Sequence, residues 1–343
     1  MLTLEPFDPP SAHLHVLDPD PAIEEHENVL YMPVGAAGLD GDPSWGVYDR
    51  TGRLLLSGAY RRGPDRALVG QSRVLAALPT DADPAPAGHY VYAGPLILQY
   101  GHFLLATLAR LWPYAAAPAP GTRFLWHAAH DLSALDAHPF AIQMLDALGF
   151  APSQFTRFTR PTRIKRLTVI APAFEENHFA YQAFQRLCRT IGSRLAPATD
   201  NRPRPPAYLA RTQMTWGVKG IANEGPICGA LAALGVEIIH PARLGLADQV
   251  ALFGSDRVIL GLTGSAFHTA IFAPPRSRLI GIELYSSDNQ LLINRLAGAR
   301  MQFLRPRTPV EEVFGGSAFS VVVGFPDPVG IARDLLRAAQ AFA

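Results

Sequence analysis

The chain has 343 residues, 48% of them hydrophobic and 17% charged, and its formal net charge is +1. So much apolar side chain excludes an intrinsically disordered protein, and a charge near zero argues against a nucleic-acid-binding protein that works through a broad cationic field. At roughly 150 residues per domain, the length predicts about two domains.

Cysteine usage and the N-terminal residues give further expectations. Cys188 and Cys228 show no paired spacing and no Cys/His ligand pattern, so neither a disulfide framework nor a structural zinc site is predicted. No basic segment precedes an apolar run near residue 1, and the longest apolar stretch, 225–236, is too short to cross a bilayer. A cytoplasmic protein is expected, with peripheral attachment at the inner face of the plasma membrane left open.

The N-terminal half begins with strands and turns and then changes to alternating strands and helices. In roughly the first 90 residues, stretches rich in β-branched and aromatic side chains alternate with Gly and Pro. Strands are predicted at 13–17, 28–34, 45–49 and 53–60, with a hairpin turn at 49–52. Beyond a Pro/Ala-rich connector, the pattern predicts a helix at 101–112, a strand at 122–127, a helix at 139–150, a strand at 166–173 and a helix at 178–195.

The C-terminal half follows a proline-rich linker at 196–206, so the N-terminal domain is expected to span residues 1–195. Apolar strands that alternate strictly with helices predict a parallel sheet covered on both faces, and residues 207–326 are therefore expected to form a Rossmann-like domain. Its strands are predicted at 207–211, 236–241, 257–262, 278–284 and 301–305. The last segment, 327–343, is predicted as an amphipathic helix. Two such domains leave a cleft outside the carboxyl ends of their strands, where ligands bind.

One strand–turn–helix junction carries the clearest ligand-binding pattern. The apolar strand at 257–262 leads to Gly264, and a helix is predicted to begin at Ser265. Backbone N–H groups at a helix start favour an anion, and a glycine lets a phosphate approach the chain closely. Gly264, Ser265 and His268 are therefore candidate phosphate-binding residues. The alternative is an ordinary turn and helix cap, with His268 in the core.

A second set of polar residues follows the strand at 207–211. Arg211 ends that strand, and Lys219, Asn223 and Glu224 lie in the following loop and at the next predicted helix start. An arginine fork and a lysine point charge beside a helix N-terminus suit a pyrophosphate. Helix capping is the alternative for Asn223 and Glu224, and a surface ion pair is the alternative for Arg211.

Two further residues complete the candidate site. Glu283 lies at the end of the strand at 278–284, where a carboxylate could hold a ribose diol, and a solvated loop position fits equally well. His102 begins the helix at 101–112. Histidine is the side chain best suited to accept a proton near neutral pH, so His102 is a candidate base, with a capping or core histidine as the alternative.

Other polar clusters are interpreted as structural. Asp-x-Asp triplets occur at 18–20, 40–42 and 81–83. They contain turn formers, although such a pair can hold a divalent metal against a nucleotide diphosphate. The isolated His-x-x-His-Asp pattern at 127–131 is not expected to bind a metal. The basic run at 157–166 is expected to be a solvated face, with an anionic lipid or an acidic acceptor as the alternative.

Three blocks of sequence occur in order over residues 99–284. They are Gly101-His102-Phe103-Leu104-Leu105 through Arg110-Leu111-Trp112; Tyr208-Leu209-Ala210-Arg211 with Ile221-Ala222-Asn223-Glu224; and Leu246-Ala247-Asp248-Gln249-Val250 through Gly261, Gly264-Ser265, His268 and Phe272-Ala273-Pro274-Pro275. Together they resemble glycosyltransferase family 61, whose members are often labelled capsular polysaccharide biosynthesis proteins. The chain departs from the family pattern at Thr263, where histidine is common, at Thr269, where asparagine is common, and at Phe103, where tryptophan is usual.

The resemblance implies an α/β protein of the GT-B type, with two Rossmann-like domains facing a central cleft; the β-rich N-terminal segment lies outside the resemblance. It also implies an inverting hexosyl- or pentosyltransferase of bacterial surface or capsular polysaccharide biosynthesis. A nucleotide-diphosphate sugar, taken to be a UDP-sugar, would be the donor and a glycan or lipid-linked glycan the acceptor. No metal or other cofactor is expected to be required, because positive side chains and the helix start would stabilise the leaving diphosphate.

Within such an enzyme, we expect the following roles for the candidate residues identified above from their positions and chemistry. His102 would be the catalytic base, and the final helix would pack back on the N-terminal domain. The donor would contact Arg211, Lys219, Asn223, Glu224, Gly264, Ser265, His268 and Glu283 of the C-terminal domain.

Two alternatives to this function stay open. A metal-dependent transferase of the GT-A type would use Asp18 and Asp20. A non-catalytic scaffold of a polysaccharide assembly complex is suggested by Thr263 and Thr269, which replace the usual residues in the predicted phosphate turn.

Overall fold

The computed structural model describes residues 3–41, 43–118, 121–196, 202–213, 219–284, 288–308, 310–317 and 320–342. The chain forms two compact units. The N-terminal unit is His13–Arg194, and the C-terminal unit is Met1–Ala12 together with Leu195–Ala343. The first strand, β1 (Leu4–Phe7), lies in the C-terminal unit, whereas the sequence analysis assigned it to the N-terminal domain.

The described residues of the N-terminal unit form β-strands and three α-helices. Its strands are β2 (His15–Leu17), β3 (Ile23–Met32), β4 (Gly46–Tyr48), β5 (Arg61–Arg62), β6 (Ala67–Leu68), β7 (Asp83–Pro84), β8 (Tyr90–Pro95), β9 (Arg123–His127), β10 (Phe155–Thr156), β11 (Thr162–Ile170), β12 (Phe174–Glu175) and β13 (Phe179–Tyr181). Its α-helices are α1 (Tyr100–His102), α2 (Pro139–Ala147) and α3 (Gln182–Leu195).

One mixed sheet forms the core of this unit, in the order β10-β9-β8-β11-β3-β4 with β7 also beside β11. Strands β8 to β11 pair in parallel, and β3 pairs antiparallel with both β11 and β4. The alternating apolar residues of these strands, such as Val29, Tyr31 and Leu167, are buried together because alternate side chains face one side of a sheet.

The N-terminal unit departs from the predicted elements in three places. The strand predicted at 53–60 is absent: Arg53 and Leu54 form only isolated bridges, and a 3₁₀ turn follows over Leu56–Gly58. The predicted helix at 178–195 begins only at Gln182, because Phe179–Tyr181 forms β13, which pairs with β12 and β2. The predicted helix at 101–112 is not a regular α-helix: α1 continues as a π-helical turn over Phe103–Thr107 and a 3₁₀ turn over Leu108–Arg110. The turn predicted at 49–52 is confirmed, with Gly52 N–H donating to the Asp49 carbonyl at 3.0 Å.

The C-terminal unit contains the regular alternation predicted from the sequence. Its further strands are β14 (Ala207–Leu209), β15 (Lys219–Ile221), β16 (Glu237–Ile239), β17 (Val258–Leu262), β18 (Arg278–Ile282), β19 (Arg300–Pro306), β20 (Glu311–Ser317) and β21 (Ser320–Gly324). Its helices are α4 (Glu224–Ala233), α5 (Leu246–Phe253), α6 (Ser265–His268), α7 (Asp288–Ala297) and α8 (Pro328–Ala341).

The main sheet of this unit has the order β1-β19-β18-β17-β14-β16. The five strands from β19 to β16 are all parallel, which confirms the predicted parallel sheet, and only β1 runs antiparallel, at one edge. Strands β15, β21 and β20 form a second, smaller sheet that the sequence analysis did not predict.

The final helix packs within the C-terminal unit, where it contacts α4 and β1. The Asp334 carboxylate of α8 accepts hydrogen bonds from the backbone N–H groups of Thr3 and Leu4 and from the Thr3 hydroxyl, at 2.5, 3.0 and 2.8 Å. Asp334 therefore ties α8 to the start of β1. The protein is thus mixed α/β, and within the described part of the chain no helix is long and apolar enough to cross a membrane.

Candidate functional site

Several candidate residues converge at the carboxyl edge of the C-terminal sheet. Strands β14, β17 and β18 are adjacent and parallel, so their carboxyl ends lie side by side. Arg211, Gly264 and Glu283 follow these three strands in turn. The fold therefore brings to one edge residues that are far apart in the sequence, which is where parallel sheets of this kind bind ligands.

The Arg211 guanidinium is held by backbone carbonyls at this edge. Its Nη1 donates to the Lys219 carbonyl at 2.8 Å, and its Nη2 donates to the carbonyls of Leu262 and Thr263 at 3.0 and 3.3 Å. Burial lowers the pKa of Arg211, and the nearby Glu224 acts in the opposite direction. Carbonyls are neutral dipoles, so these hydrogen bonds fix the position of the guanidinium without cancelling its charge.

Gly264 makes room for that guanidinium. Its φ of 160° is extended backbone, so conformation alone does not require glycine here. A Cβ on Gly264 would lie only 2.4 Å from Arg211 Nη2, which is far inside van der Waals contact. The glycine predicted to admit a phosphate therefore admits an arginine side chain, and the positive charge of Arg211 lies directly against the turn.

The Glu224 carboxyl group accepts hydrogen bonds that join the two parts of the second sequence block. Its side chain is 2% exposed, its Oε1 accepts from the Tyr208 hydroxyl at 3.0 Å, and its Oε2 accepts from the Arg211 backbone N–H at 2.8 Å. Burial raises the pKa of Glu224, and these two hydrogen bonds oppose that effect. The Tyr-x-x-Arg and Asn-Glu pieces of the block are therefore joined by one buried carboxyl group.

Asn223 is also engaged with backbone groups. Its Nδ2 donates to the Phe325 carbonyl at 2.7 Å, and its Oδ1 accepts from the Phe325 N–H at 3.0 Å. It occupies the N-cap position of α4 but makes no side-chain capping hydrogen bond there. The Asn223 amide thus ties the start of α4 to the segment that follows β21.

Lys219 and Glu283 carry the other two charges of the cluster. Lys219 is half-buried, and the Glu283 side chain is only 4% exposed. Burial lowers the pKa of Lys219, the Glu283 carboxylate raises it, and the Arg211 charge lowers it. Two cations and two carboxyl groups therefore lie within electrostatic range at this edge, so the cluster is more nearly charge-balanced than the basic site that the sequence predicted.

The helix after Gly264 is short. α6 has four residues and continues as a 3₁₀ turn over Thr269–Phe272, so its dipole can contribute little to anion binding. Ser265 at its first turn is half-buried, and His268 is 8% exposed. Thr263, which stands where the family commonly has histidine, donates from its backbone N–H and its hydroxyl to the Ile282 carbonyl, each at 3.0 Å. Thr263 therefore joins β17 to β18.

The candidate base His102 lies in the N-terminal unit beside a carboxylate. Its Nδ1 is 3.3 Å from Oε1 and 3.2 Å from Oε2 of Glu176. The His102 side chain is 31% exposed, whereas that of Glu176 is 2% exposed. The Gln99 side chain caps α1 by accepting from the His102 backbone N–H at 3.0 Å, which fixes the residue at the start of the helix. The imidazole is thus partly open to solvent and held from one side by a buried acid.

Tyr60 and Arg62 also lie against the Glu176 carboxylate. The Tyr60 hydroxyl donates to its Oε1 at 3.0 Å, and Arg62 Nη2 lies 3.4 Å from its Oε2. Burial raises the pKa of Glu176, but the hydrogen bonds and charges of His102, Arg62 and Tyr60 hold it below its ordinary value. The carboxyl group is therefore ionised at neutral pH. A cavity of about 10 Å³, room for about one water molecule, is lined by both Tyr60 and Glu176.

Sequence reasoning missed Glu176 and Tyr60. Glu176 lies in a Glu-Glu-Asn turn in which Asn177 has a left-handed φ of 61°, and such polar turns are ordinary loop sequence. The signal that could have identified Glu176 is a pair of successive glutamates between the apolar residues of β12 and β13. The first of the pair, Glu175, is bound instead by Arg66, which donates to both of its carboxylate oxygens at 2.6 and 3.1 Å.

Arg110 of the first sequence block has a structural role. Its side chain is fully buried and donates to the carbonyls of Ser57, Ile170 and Ala59. Burial lowers the pKa of Arg110 to about 10. Gly94 has a φ of 80°, and a Cβ there would lie 2.6 Å from Arg110 Cδ. From inside the N-terminal unit, this arginine ties the 3₁₀ turn over Leu56–Gly58 to the end of β11.

Residues of the other polar clusters have partners within the N-terminal unit. His127 is fully buried between the Tyr92 hydroxyl at 2.9 Å and the Met32 carbonyl at 2.8 Å, and burial lowers its pKa to about 3. Asp20 forms an ion pair with Arg186 of α3. Arg166 of the basic run lies opposite Glu27 in the β11–β3 pairing. Asp42 lies outside the described residues, and among those described no group of three His, Cys, Asp or Glu side chains could hold a metal ion.

A comparison with protein-family models matches the part of the chain that contains these residues. The family model described as Glycosyltransferase 61 matches residues 100–280, which is just over half of the 343-residue chain. The matched range contains His102, Arg211, Glu224 and Gly264. A search of curated proteins gives no significant match. The match to the family model shows that the chain belongs to the glycosyltransferase 61 family.

Proposed function

We propose that this protein is an inverting hexosyl- or pentosyltransferase of the GT-B type. It transfers a sugar from a nucleotide-diphosphate donor, with UDP-sugars as the first candidates, to a glycan or lipid-linked glycan acceptor. Membership of the glycosyltransferase 61 family supports sugar transfer. Surface or capsular polysaccharide biosynthesis in the cytoplasm, at the inner face of the plasma membrane, is the context that we propose for it.

The donor proposal rests on the cluster at the carboxyl edge of the C-terminal sheet. Arg211 is fixed there by three carbonyls, and Lys219 is close enough for its pKa to respond to the Arg211 charge. As the sugar leaves, negative charge develops on the diphosphate, and cations that are already in position stabilise it without reorganisation. Two such cations supply the positive charge that a metal ion would otherwise supply.

On the acceptor side, His102 is the proposed base. Its imidazole takes the proton of an acceptor hydroxyl while that oxygen attacks the anomeric carbon from the face opposite the diphosphate. The bond from the anomeric carbon to the diphosphate oxygen breaks, and its electron pair leaves with the diphosphate. A single displacement of this kind inverts the configuration at the anomeric carbon. General base catalysis by a positioned side chain typically contributes about 10²–10⁴-fold to the rate.

Calorimetry with a panel of nucleotide-diphosphate sugars tests the donor site. Lys219→Ala should weaken donor binding at least about tenfold, the equivalent of about 1.4 kcal/mol. Lys165→Ala is the matched control, because Lys165 is the only other lysine of the chain and is exposed on β11. Arg211→Ala is not used as the test, because truncating Arg211 also removes three hydrogen bonds within the protein.

Turnover is measured separately from binding. His102→Ala should bind the donor as the unmodified protein does and should lose transfer. If the unmodified protein binds none of the nucleotide sugars, the proposed function is wrong. If it binds a donor but neither hydrolyses nor transfers it with a broad acceptor panel, the scaffold alternative replaces catalysis.

A further inference from the structure

A buried acid fixes the orientation and the protonated nitrogen of the His102 ring. The Glu176 carboxylate faces Nδ1 with both oxygens, at 3.2 and 3.3 Å. An ionised carboxylate can only accept, so the ring nitrogen that faces it must donate. In the neutral imidazole one nitrogen carries the proton and the other accepts one, which leaves Nε2 as the acceptor.

We propose that Glu176 is the positioning residue of His102: by accepting the Nδ1 proton, it makes Nε2 the nitrogen that takes the proton of the acceptor hydroxyl. This inference rests on the proposed function, in which His102 is the base. When Nε2 takes that proton the ring becomes a cation, and the buried Glu176 carboxylate 3.2 Å from Nδ1 stabilises the new charge. The acid itself stays ionised throughout the step.

The carboxylate is itself held in place. The Tyr60 hydroxyl donates to Oε1 at 3.0 Å, and the Arg62 guanidinium lies 3.4 Å from Oε2. At 2% exposure, Glu176 has little freedom to turn away from the ring. A carboxylate used only to balance surface charge would need neither this burial nor a hydroxyl partner.

The adjacent Glu175 provides a matched control. It is also buried, at 5% exposure, but its carboxylate is bound by Arg66 and lies 3.9 Å from the ring of His178. Glu175→Gln and Glu176→Gln therefore make the same chemical change at neighbouring buried positions, and only the second removes the acceptor that faces His102.

The first experiment reads the His102 tautomer and needs no substrate. In ¹⁵N-histidine-labelled protein, the His102 signals are assigned by their loss in His102→Gln and followed at a pH where the ring is neutral. The proton should lie on Nδ1 in the unmodified protein and in Glu175→Gln. In Glu176→Gln the carboxamide can donate to Nδ1, so the proton should move to Nε2. A proton on Nε2 in the unmodified protein would overturn the inference.

The second experiment separates positioning from binding. Glu176→Gln should lower kcat on the order of 10²–10⁴-fold, because the ring then presents a protonated nitrogen to the acceptor. The KM for the donor should stay within about twofold, since Glu176 is not among the proposed donor-binding residues. Tyr60→Phe keeps the carboxylate and removes one of its donors, so it should give a smaller loss of kcat and serves if Glu176→Gln does not fold. An unchanged kcat in a folded Glu176→Gln protein would overturn the catalytic part.

The proposed function and the positioning role of Glu176 can be refuted independently of each other. If no donor binds to the unmodified protein, the proposed function fails, while the tautomer still reports whether Glu176 orients His102. If donor binding and transfer are observed but the tautomer is the same in both glutamate variants, the function stands and the positioning role is wrong.

Discussion

A methyl group added at Gly264 should displace Arg211 and destabilise the carboxyl edge of the C-terminal sheet. In Gly264→Ala the new Cβ would lie 2.4 Å from Arg211 Nη2. Carbon and nitrogen atoms pack at about 3.5 Å or more, so the guanidinium must move by about 1 Å. The backbone is already extended at this position, so the effect comes from the contact and not from backbone strain.

That displacement breaks identifiable hydrogen bonds. Nη2 donates to Leu262 and Thr263 at 3.0 and 3.3 Å, and a shift of about 1 Å takes both beyond hydrogen-bond range. A hydrogen bond from a charged group contributes about 1.5–3 kcal/mol, so losing one or two costs about 1.5–6 kcal/mol. Replacing glycine also lowers the entropy of the unfolded chain, which returns about 0.4–1 kcal/mol. The net decrease in the free energy of unfolding should be about 0.5–5.5 kcal/mol.

Urea denaturation of a double-mutant cycle measures this effect. In an Arg211→Ala background the methyl group meets no guanidinium, so Gly264→Ala should cost less than about 0.5 kcal/mol there. Gly229→Ala is the control: Gly229 is exposed in α4, a Cβ there meets nothing within 4 Å, and the change should stabilise by about 0.5–1 kcal/mol. An equal cost of Gly264→Ala with and without Arg211 would refute the reasoning.

Three further changes test other contacts. Tyr208→Phe removes a donor to the buried Glu224 carboxyl and should lower stability by about 1–3 kcal/mol in urea, whereas an unchanged midpoint would contradict the proposed network. Gly94→Ala, whose Cβ would lie 2.6 Å from Arg110 Cδ at a φ of 80°, should lower the melting temperature, and a Tm equal to that of the unmodified protein would contradict this packing. Burial raises the pKa of Asp334, but the hydrogen bonds that it accepts from Thr3 and Leu4 lower the pKa by more, so the pKa lies below its ordinary value. Its contribution is therefore present above about pH 3.9, the unfolded value, and is lost as the pH falls through the folded pKa. Asp334→Asn should show a smaller loss of stability over that acidic range, and parallel stability–pH curves would exclude the role.

The parallel sheet of the C-terminal unit could be predicted because its signal is local. Every residue of β17 is buried, and a strand covered on both faces reads as a continuous apolar run. The longer helix α7, which follows β18, shows a helical periodicity of its own. Placing Arg211, Gly264 and Glu283 together required only the rule that the carboxyl ends of adjacent parallel strands share one edge.

Pairings between distant segments could not be predicted in the same way. β1 is a four-residue strand that contains a proline, and what makes it a strand is its antiparallel pairing with β19, about 300 residues further along the chain. The contact between His102 and Glu176 is likewise non-local, and neither residue stands in a pattern that points to the other. Gly264 is needed because the Arg211 side chain passes close to it, and rules that relate sequence to turn type do not predict where a distant side chain lies.

The hydrogen bonds of the second sequence block change how variants of this family member should be interpreted. Within the C-terminal unit, hydrogen bonds to other protein groups engage the side chains of Asn223, Glu224 and Arg211. Truncating any of them would weaken donor binding even if it never touched the donor, because the edge of the sheet would be disturbed. Loss of binding therefore identifies a ligand contact only in a variant whose folding stability is unchanged. Lys219 is the residue at which we expect such a loss, because its charge lies near those of Arg211 and Glu283 at this edge. A diphosphate would supply the negative charge that favours its protonated form.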